Sequence, residues 1–339
     1  MAENITLKFP CDIDKIKPLG RYQLLPSSLG CDHSATGFEI SLKAMGKVCV
    51  RLFTTNEKEG SDNTYFTVYI DGERQNMRYE AHFGETLLEI ADFKTYSEHT
   101  LRFVKQTESN YNLCEIKSIS FEGELLSKPQ KREKYIEYIG DSLSCGMGAI
   151  GEKGVPFPQS SLWEDVTKGY TYLSAEALGV DYSIVSESGI GLAGSWFDPL
   201  FEFYPAWSYK RNKTLKYDFA RIPDLLVINL GTNDFYLNCD LKICPLDEFR
   251  QKVKEFILFV RGAYKKDIPI VWVSRFMRLG ESYVGAIDEV ISDMGGESAG
   301  IYRLDVTQSA GGAQGHPNVS GHATASNELV EFIKNKKLL

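Results

Sequence analysis

The chain has no run of about 20 apolar residues, so nothing in it is long enough to cross a bilayer as a helix. It also lacks a cationic excess: 38 Lys and Arg face 46 Asp and Glu, a net charge of −8. A nucleic acid would meet net repulsion, because no basic face offsets it. The two basic runs, "KPQKREK" at 128–134 and "KNKK" at 334–337, read as a solvated linker and a helix C-terminus, where cations suit the dipole. No disulfide framework is legible. The seven cysteines are odd in number and irregularly spaced, which suits free thiols in a reducing compartment. Cys239 and Cys244 are near neighbours, but no His or Cys cluster completes a zinc site, so neither metal nor cofactor is expected. The opening "MAENITLKFPCDIDKIKPLG" has no secretory apolar core. The expectation is a cytoplasmic protein, or a secreted one whose leader has been removed. The Asn-x-Ser/Thr triplets at Asn4, Asn212 and Asn318 then read as chance. No feature of the sequence sets an oligomeric state.

What is present falls into two patterns. At 339 residues the chain exceeds one average domain of ~150. Residues 1–126 alternate with period 2 between turn residues. The strands expected there are "GFEISLKAMGKVCVRLFTTN", "NTYFTVYIDGERQNMRYEA", "GETLLEIADF", "HTLRFVKQTES" and "LCEIKSISFEGELL". "IDGE" at 70–73 signals a tight hairpin, since Asp-Gly tolerates positive φ. An antiparallel β-sandwich of jelly-roll type follows. Polar, proline-bearing residues 127–133 form the expected linker. From 134 to 339, strands alternate with helices. "YIEYIG", "VDYSIVSESG", "PDLLVINLGTND", "IPIVWVSRF" and "AGIYRLDV" are continuous apolar runs, as when helices cover both faces of a sheet. The fold class is thus α/β, a sandwich followed by an α/β/α domain with a mostly parallel sheet.

Ligands of such sheets sit beyond the carboxyl ends of the strands. Those ends carry Ser142 in "GDSL", Gly189 in "SESGIG", Asn233 in "GTND" and His316 in "GGAQGHPN". Taken singly, each has a structural explanation: a turn serine, a turn glycine, an Asx-turn asparagine, a packed histidine. Four groups of complementary type on one sheet edge point instead to acyl transfer. His316 is preferred over His322 as the base, because Pro317 holds His316 extended while His322 falls within a helical pattern. Asp141 reads as a brace of the turn, since neighbours leaving a strand point to different sides. Cys145 has no feature that would lower its pKa and make it the nucleophile.

These blocks resemble the SGNH (GDSL) hydrolase superfamily: Gly140-Asp141-Ser142-Leu143, Gly189, Gly231-Thr232-Asn233-Asp234 and His316-Pro317, in order over 134–339. With "SGIGL", "HPNVSGH" and a preceding sandwich, the chain looks most like carbohydrate esterase family 2. The resemblance implies a serine esterase that removes acetyl groups from xylan or related glycans. Ser142 would be the nucleophile and His316 the base. The Ser142 and Gly189 N–H groups and the Asn233 amide would form the oxyanion hole. The alternative is a lipase-like esterase or thioesterase acting on other acyl esters.

One departure stands out. Most SGNH enzymes carry an aspartate three residues before the histidine, and here that residue is Ala313. Three groups remain to orient the imidazole: a backbone carbonyl of the 311–315 loop, as the resemblance to a family with a Ser–His dyad implies; the Gln314 side chain; or Asp305 at a strand end. Without an anion beside it, His316 is expected to ionise near or below about 6.5. Residues 196–219 hold nine aromatics in 24 positions. Trp196 and Trp207 are candidates for a sugar platform there, and a satellite hydrophobic cluster is the other reading. The expected partner is an acetylated carbohydrate.

Overall fold

A computed structural model describes residues 3–56, 63–155 and 160–339. The chain divides into two compact units, Met1–Lys131 with Gln159–Leu162, and Arg132–Pro158 with Trp163–Leu339. The division falls between Lys131 and Arg132, inside the 127–133 segment.

Among the described residues the first unit has ten strands. They are β1 (Glu3–Lys8), β2 (Lys17–Leu19), β3 (Gln23–Leu25), β4 (Ser28–Gly30), β5 (Gly37–Asn56), β6 (Thr64–Ile70), β7 (Glu73–Arg74), β8 (Tyr79–Ala81), β9 (Gly84–Lys105) and β10 (Asn112–Leu125). All their pairings are antiparallel, along the order β3-β4-β10-β5-β9-β6-β7. The Asp-Gly signal lies between β6 and β7, with φ of +54° at Asp71 and +86° at Gly72, as a primed hairpin turn requires. Two expectations change. "GETLLEIADF" and "HTLRFVKQTES" form one strand, β9, whose largely exposed polar middle bulges at Lys94–Tyr96 before pairing with β5 resumes at Ser97. The short strands β1 to β4 were not anticipated. Ladder irregularities between Ala44 and Gly46 and between Val48 and Cys49 mark bulges, which bend a long strand. The core includes Phe38, Val50, Phe66, Phe103 and Ile116.

The second unit carries five parallel strands: β11 (Tyr135–Gly140), β12 (Asp181–Ser186), β13 (Leu225–Asn229), β14 (Ile270–Ser274) and β15 (Ile301–Asp305). Their order is β12-β11-β13-β14-β15. Direction of winding reverses between β11 and β13, the switch point where open α/β sheets bind ligands. Among the described residues eight α-helices accompany them: α1 (Ser142–Cys145), α2 (Tyr170–Leu178), α3 (Leu200–Phe203), α4 (Tyr209–Asn212), α5 (Thr232–Leu241), α6 (Leu246–Tyr264), α7 (Glu281–Asp293) and α8 (Val319–Lys336). Helix α6 shows why the period reads so clearly. Phe249, Val253, Phe256, Ile257, Val260 and Tyr264 all face inward at helical spacing and are buried. Each such side chain contributes about 1.5–3 kcal/mol. A fully buried carboxylate on β11, Glu137, accepts hydrogen bonds from Tyr204 Oη (2.5 Å) and Tyr264 Oη (2.8 Å). Among the described residues no helix is long and apolar enough to cross a membrane.

Candidate active site

Strand β11 ends at Gly140, and the chain turns at once into α1. The turn is set by Asp141, fully buried, whose Oδ1 accepts the Leu143 N–H at 2.9 Å as an N-cap. Ser142 is therefore the first residue of α1, where backbone N–H groups have no intrahelical acceptor. It is 8% exposed, so its hydroxyl just reaches the surface. Left-handed Gly146 closes the helix after a single turn (φ +79°).

His316 reaches this hydroxyl from the loop after β15. Its Nε2 lies 2.9 Å from Ser142 Oγ. The residue is extended (φ −77°, ψ 165°), as the following proline imposes. The loop is held by its own backbone and by the turn after Ser142. Ala313 N–H donates to Gly148 O at 3.0 Å, Gly312 N–H to His316 O at 2.8 Å, and His316 N–H to Ala313 O at 3.0 Å. Gly148 permits this approach: its φ is +72°, and a Cβ there would lie 2.5 Å from Ala313 O and 2.8 Å from His316 Cβ.

Among the described residues no carboxylate is bonded to the imidazole. His316 Nδ1 is buried and has no hydrogen-bond partner. Burial lowers the His316 pKa to about 4, although the nearby backbone carbonyls of Gln314 and Ala313 push it up. Asp305 is engaged elsewhere. It accepts from Ser274 Oγ at 3.1 Å, from Arg275 Nε at 3.1 Å and from Arg303. Burial pushes its carboxyl up, but the pairing with Arg303 prevails and holds it below the usual range. His322 is fully buried on α8. Its Nδ1 accepts the Tyr170 N–H at 3.2 Å, and its ring meets Phe276 edge-on. Cys145 is fully buried, with Sγ directed at Ser142 O.

The two residues expected as donors, Gly189 and Asn233, follow the strands that flank β11. Gly189, after β12, has φ +81°, and a Cβ there would lie 2.8 Å from the Phe197 ring and 3.1 Å from Trp196 Cβ. Only glycine fits that position. Asn233 lies in the first turn of α5 rather than in a free turn, because Gly231 (φ +118°) redirects the chain straight into a helix. Its Nδ2 donates to Ile190 O at 2.8 Å and to Asp141 Oδ2 at 3.2 Å. One carboxylate thus holds both the turn that carries Ser142 and the amide of Asn233.

Sequence reasoning missed Asp234. It is buried, and it accepts from the N–H groups of Leu192 (3.0 Å), Ala193 (2.6 Å) and Gly194 (3.2 Å), which fixes the loop behind Gly189. Burial raises its pKa to about 6 against the pull of those N–H groups. Its place beside Asn233 was the available signal. Lys210 performs a similar service, pairing with Asp198 at 2.6 Å and with buried Glu187 at 3.2 Å. The two tryptophans separate. Trp196 is 44% exposed beside Gly189, to whose carbonyl its N–H donates at 2.9 Å. Trp207 packs edge-on against Tyr217, which in turn meets Phe219, an extension of the core toward Tyr264.

A parallel sheet with a hydroxyl and an imidazole in contact at its switch point defines a hydrolase-type α/β domain. Comparison with known sequences makes this specific. Residues 136–329 match the family described as GDSL-like Lipase/Acylhydrolase, and residues 19–129 match Carbohydrate esterase 2 N-terminal. The chain belongs to the GDSL-like lipase/acylhydrolase family. Several of its structural neighbours are described as family two carbohydrate esterases. One relative, "Cellulase/esterase CelE" of Acetivibrio thermocellus, is 28% identical over 300 residues, covering 82% of this chain and 35% of the relative. An "Acetylxylan esterase / glucomannan deacetylase" of Cellvibrio japonicus is 25% identical over 190 residues, covering 54% of this chain and 52% of that protein. The chain thus spans about a third and about half of these two relatives. Among solved structures, a family two carbohydrate esterase from Cellvibrio japonicus superposes with a TM-score of 0.86 at 19% identity, over 100% of this chain and 99% of that one. One from Clostridium thermocellum, in complex with cellohexaose, superposes with a TM-score of 0.84 at 24% identity, over 96% and 100%. At these identities the superpositions speak for the fold.

Proposed function

We propose that the chain is a serine esterase that removes acetyl groups from acetylated carbohydrates, with Ser142 as nucleophile and His316 as base. The observation that carries the reading is the 2.9 Å contact between His316 Nε2 and Ser142 Oγ. Nε2, unprotonated at neutral pH, takes the hydroxyl proton as Oγ attacks the ester carbonyl. The imidazolium then gives that proton to the departing sugar oxygen. Water, deprotonated by the same nitrogen, releases acetate from the acyl-enzyme. The oxyanion meets the N–H groups of Ser142 and Gly189 and the Asn233 amide. Both hydrogens of that amide are engaged, so the longer bond to Asp141 is the one shared with the incoming oxygen.

The carbohydrate part of the reading rests on the relatives' names and on Trp196, exposed beside Gly189, where an aromatic face suits the apolar face of a sugar. Trp207, drawn into the aromatic cluster, would contribute by shaping that loop. Acetate release from acetylated xylan, mannan and free sugar acetates, measured beside Ser142→Ala, tests the proposal. Turnover that falls beyond acetyl and vanishes in the variant is expected. Turnover that rises with acyl length would favour a lipase-like or thioesterase activity instead.

A further inference from the structure

We infer that the cleft between the loops after β14 and β15 is a subsite for an acidic substituent, a uronate, on the glycan whose acetyl group Ser142 removes. The inference rests on the esterase reading above. The cleft has a volume of about 360 Å³ and is lined by Arg275, Met277, Arg278, Leu279, Glu281 and Gln308, among others. That size is within the range of small-molecule sites. It lies on the same sheet edge as Ser142. β14 and β15 stand two and three strands from β11, which places the cleft about 10–14 Å from the nucleophile's strand at the usual strand spacing. A short oligosaccharide spans that distance.

The wall nearest the reaction is continuous with the donor loop. A Cβ on Gly280 would lie 2.5 Å from the Phe235 ring, and Phe235 is two residues beyond Asn233 on α5. Leu279 approaches Gly231 in the same way, at 3.9 Å from a Cβ placed there. The opposite wall, Val306 and Gln308, begins the loop that ends in His316.

The charges in the cleft are unequal in availability. Arg275 is spent: its guanidinium pairs with both carboxylate oxygens of Glu281, at 2.6 and 2.7 Å, and with Asp305 at 3.1 Å. Arg278 has no ion pair or hydrogen bond among the described residues. It is exposed and stands 5.8 Å from the centroid of the Phe235 ring, a cation–π distance that fixes its position while leaving its N–H edges open. One uncompensated positive charge suits a monoanion. A more highly charged ligand would meet the chain's net charge of −8 without further compensation. The planar fork of arginine matches a carboxylate, and Met277 and Leu279 offer apolar surface to the sugar ring that bears it.

The test uses acetylated xylo-oligosaccharides with and without a glucuronic acid branch. The unaltered chain is expected to prefer the branched substrate in kcat/KM by about fivefold to tenfold, through KM, with the preference fading as salt rises. Arg278→Gln is expected to bring the ratio of the two substrates to about one. Arg250→Gln, which removes a half-buried, ion-paired cation on α6, should leave the ratio as it was. Absence of any preference in the unaltered chain, or equal effects of the two variants, would overturn the inference. Calorimetric titration of Ser142→Ala with the same oligosaccharides, deacetylated, reads the subsite without catalysis. Hydrolysis of 4-nitrophenyl acetate, run in parallel, separates a failed subsite from a failed esterase reading.

Discussion

Asp141 joins two parts of the proposed oxyanion site, and replacing it with asparagine isolates that joint. The carboxylate has two oxygens and uses both: Oδ1 for the Leu143 N–H at 2.9 Å, Oδ2 for Asn233 Nδ2 at 3.2 Å. An asparagine of the same shape has one oxygen. Whichever donor meets the new NH₂ group loses its acceptor and faces a second donor in a buried site. A stranded donor costs about 1–3 kcal/mol, so Asp141→Asn is expected to unfold at a measurably lower temperature. If the remaining oxygen keeps the cap, Asn233 loses its second anchor, and kcat is expected to fall. Removing an oxyanion donor outright costs about 10²–10³ in kcat, which bounds the loss from above. The assay is kcat on 4-nitrophenyl acetate for Asp141→Asn, Asn233→Ala and the double variant, each checked by thermal unfolding. Because both act through one amide, the double variant should be little slower than Asn233→Ala alone. A kcat for Asp141→Asn equal to the parent's, or losses that multiply in the double variant, would refute the reasoning.

Three further outcomes follow from the same geometry. His316 works as a base only when neutral, and its pKa lies at about 4. The kcat/KM–pH profile should therefore rise through about pH 4 and be level by pH 6, and an inflection above 6.5 would count against the buried, carboxylate-free imidazole. Stability carries the related sign: an unfolded His316 protonates near 6.5 while the folded one does not, so this residue's contribution is lost as pH falls from about 6.5 toward 4, and chemical denaturation at pH 7 and pH 5 should show it. Asp305→Asn should keep kcat within about threefold, since that carboxylate serves Arg303, Arg275 and Ser274; a loss of several orders of magnitude with the fold intact would restore it as the orienting acid. Gly189→Ala should lower kcat by at least about 10²-fold, because the added Cβ meets Phe197 at 2.8 Å and displaces the N–H proposed as a donor; wild-type turnover would remove Gly189 from the oxyanion site.

The regular parts of the fold were legible because burial on both faces leaves a plain signal. The central strands β13 and β14 are continuous apolar runs, while edge strand β15 is only partly buried, and α6 shows its inward face at helical spacing. Strands of three residues, such as β2 to β4, are too short to display a period. In β9 the run "KTYSEH" reads as a loop because its side chains are largely exposed and Lys94–Tyr96 bulge out of the ladder, yet Ser97, Glu98 and His99 pair with β5. Asn233 looked like a turn residue because α5 is polar, and its helical start depends on Gly231 and on tertiary contact. The four blocks of the candidate site could be read from their positions after strands. The links between them could not. Asp141 to Asn233, Asp234 to the 192–194 backbone and Lys210 to Glu187 join residues 23 to 92 positions apart, and no local pattern announces them.

The loop that presents His316 keeps its shape through peptide groups, with Ala313 bonded to Gly148 and Gly312 bonded to His316 itself. An imidazole aimed by a carboxylate is vulnerable to a single side-chain change, whereas a loop fixed by main-chain bonds depends less on any one side chain. Its vulnerability is to length. Adding or deleting one residue between 306 and 315 would shift every carbonyl along that segment and turn the ring away, so the accuracy of this pair is written in spacing more than in composition.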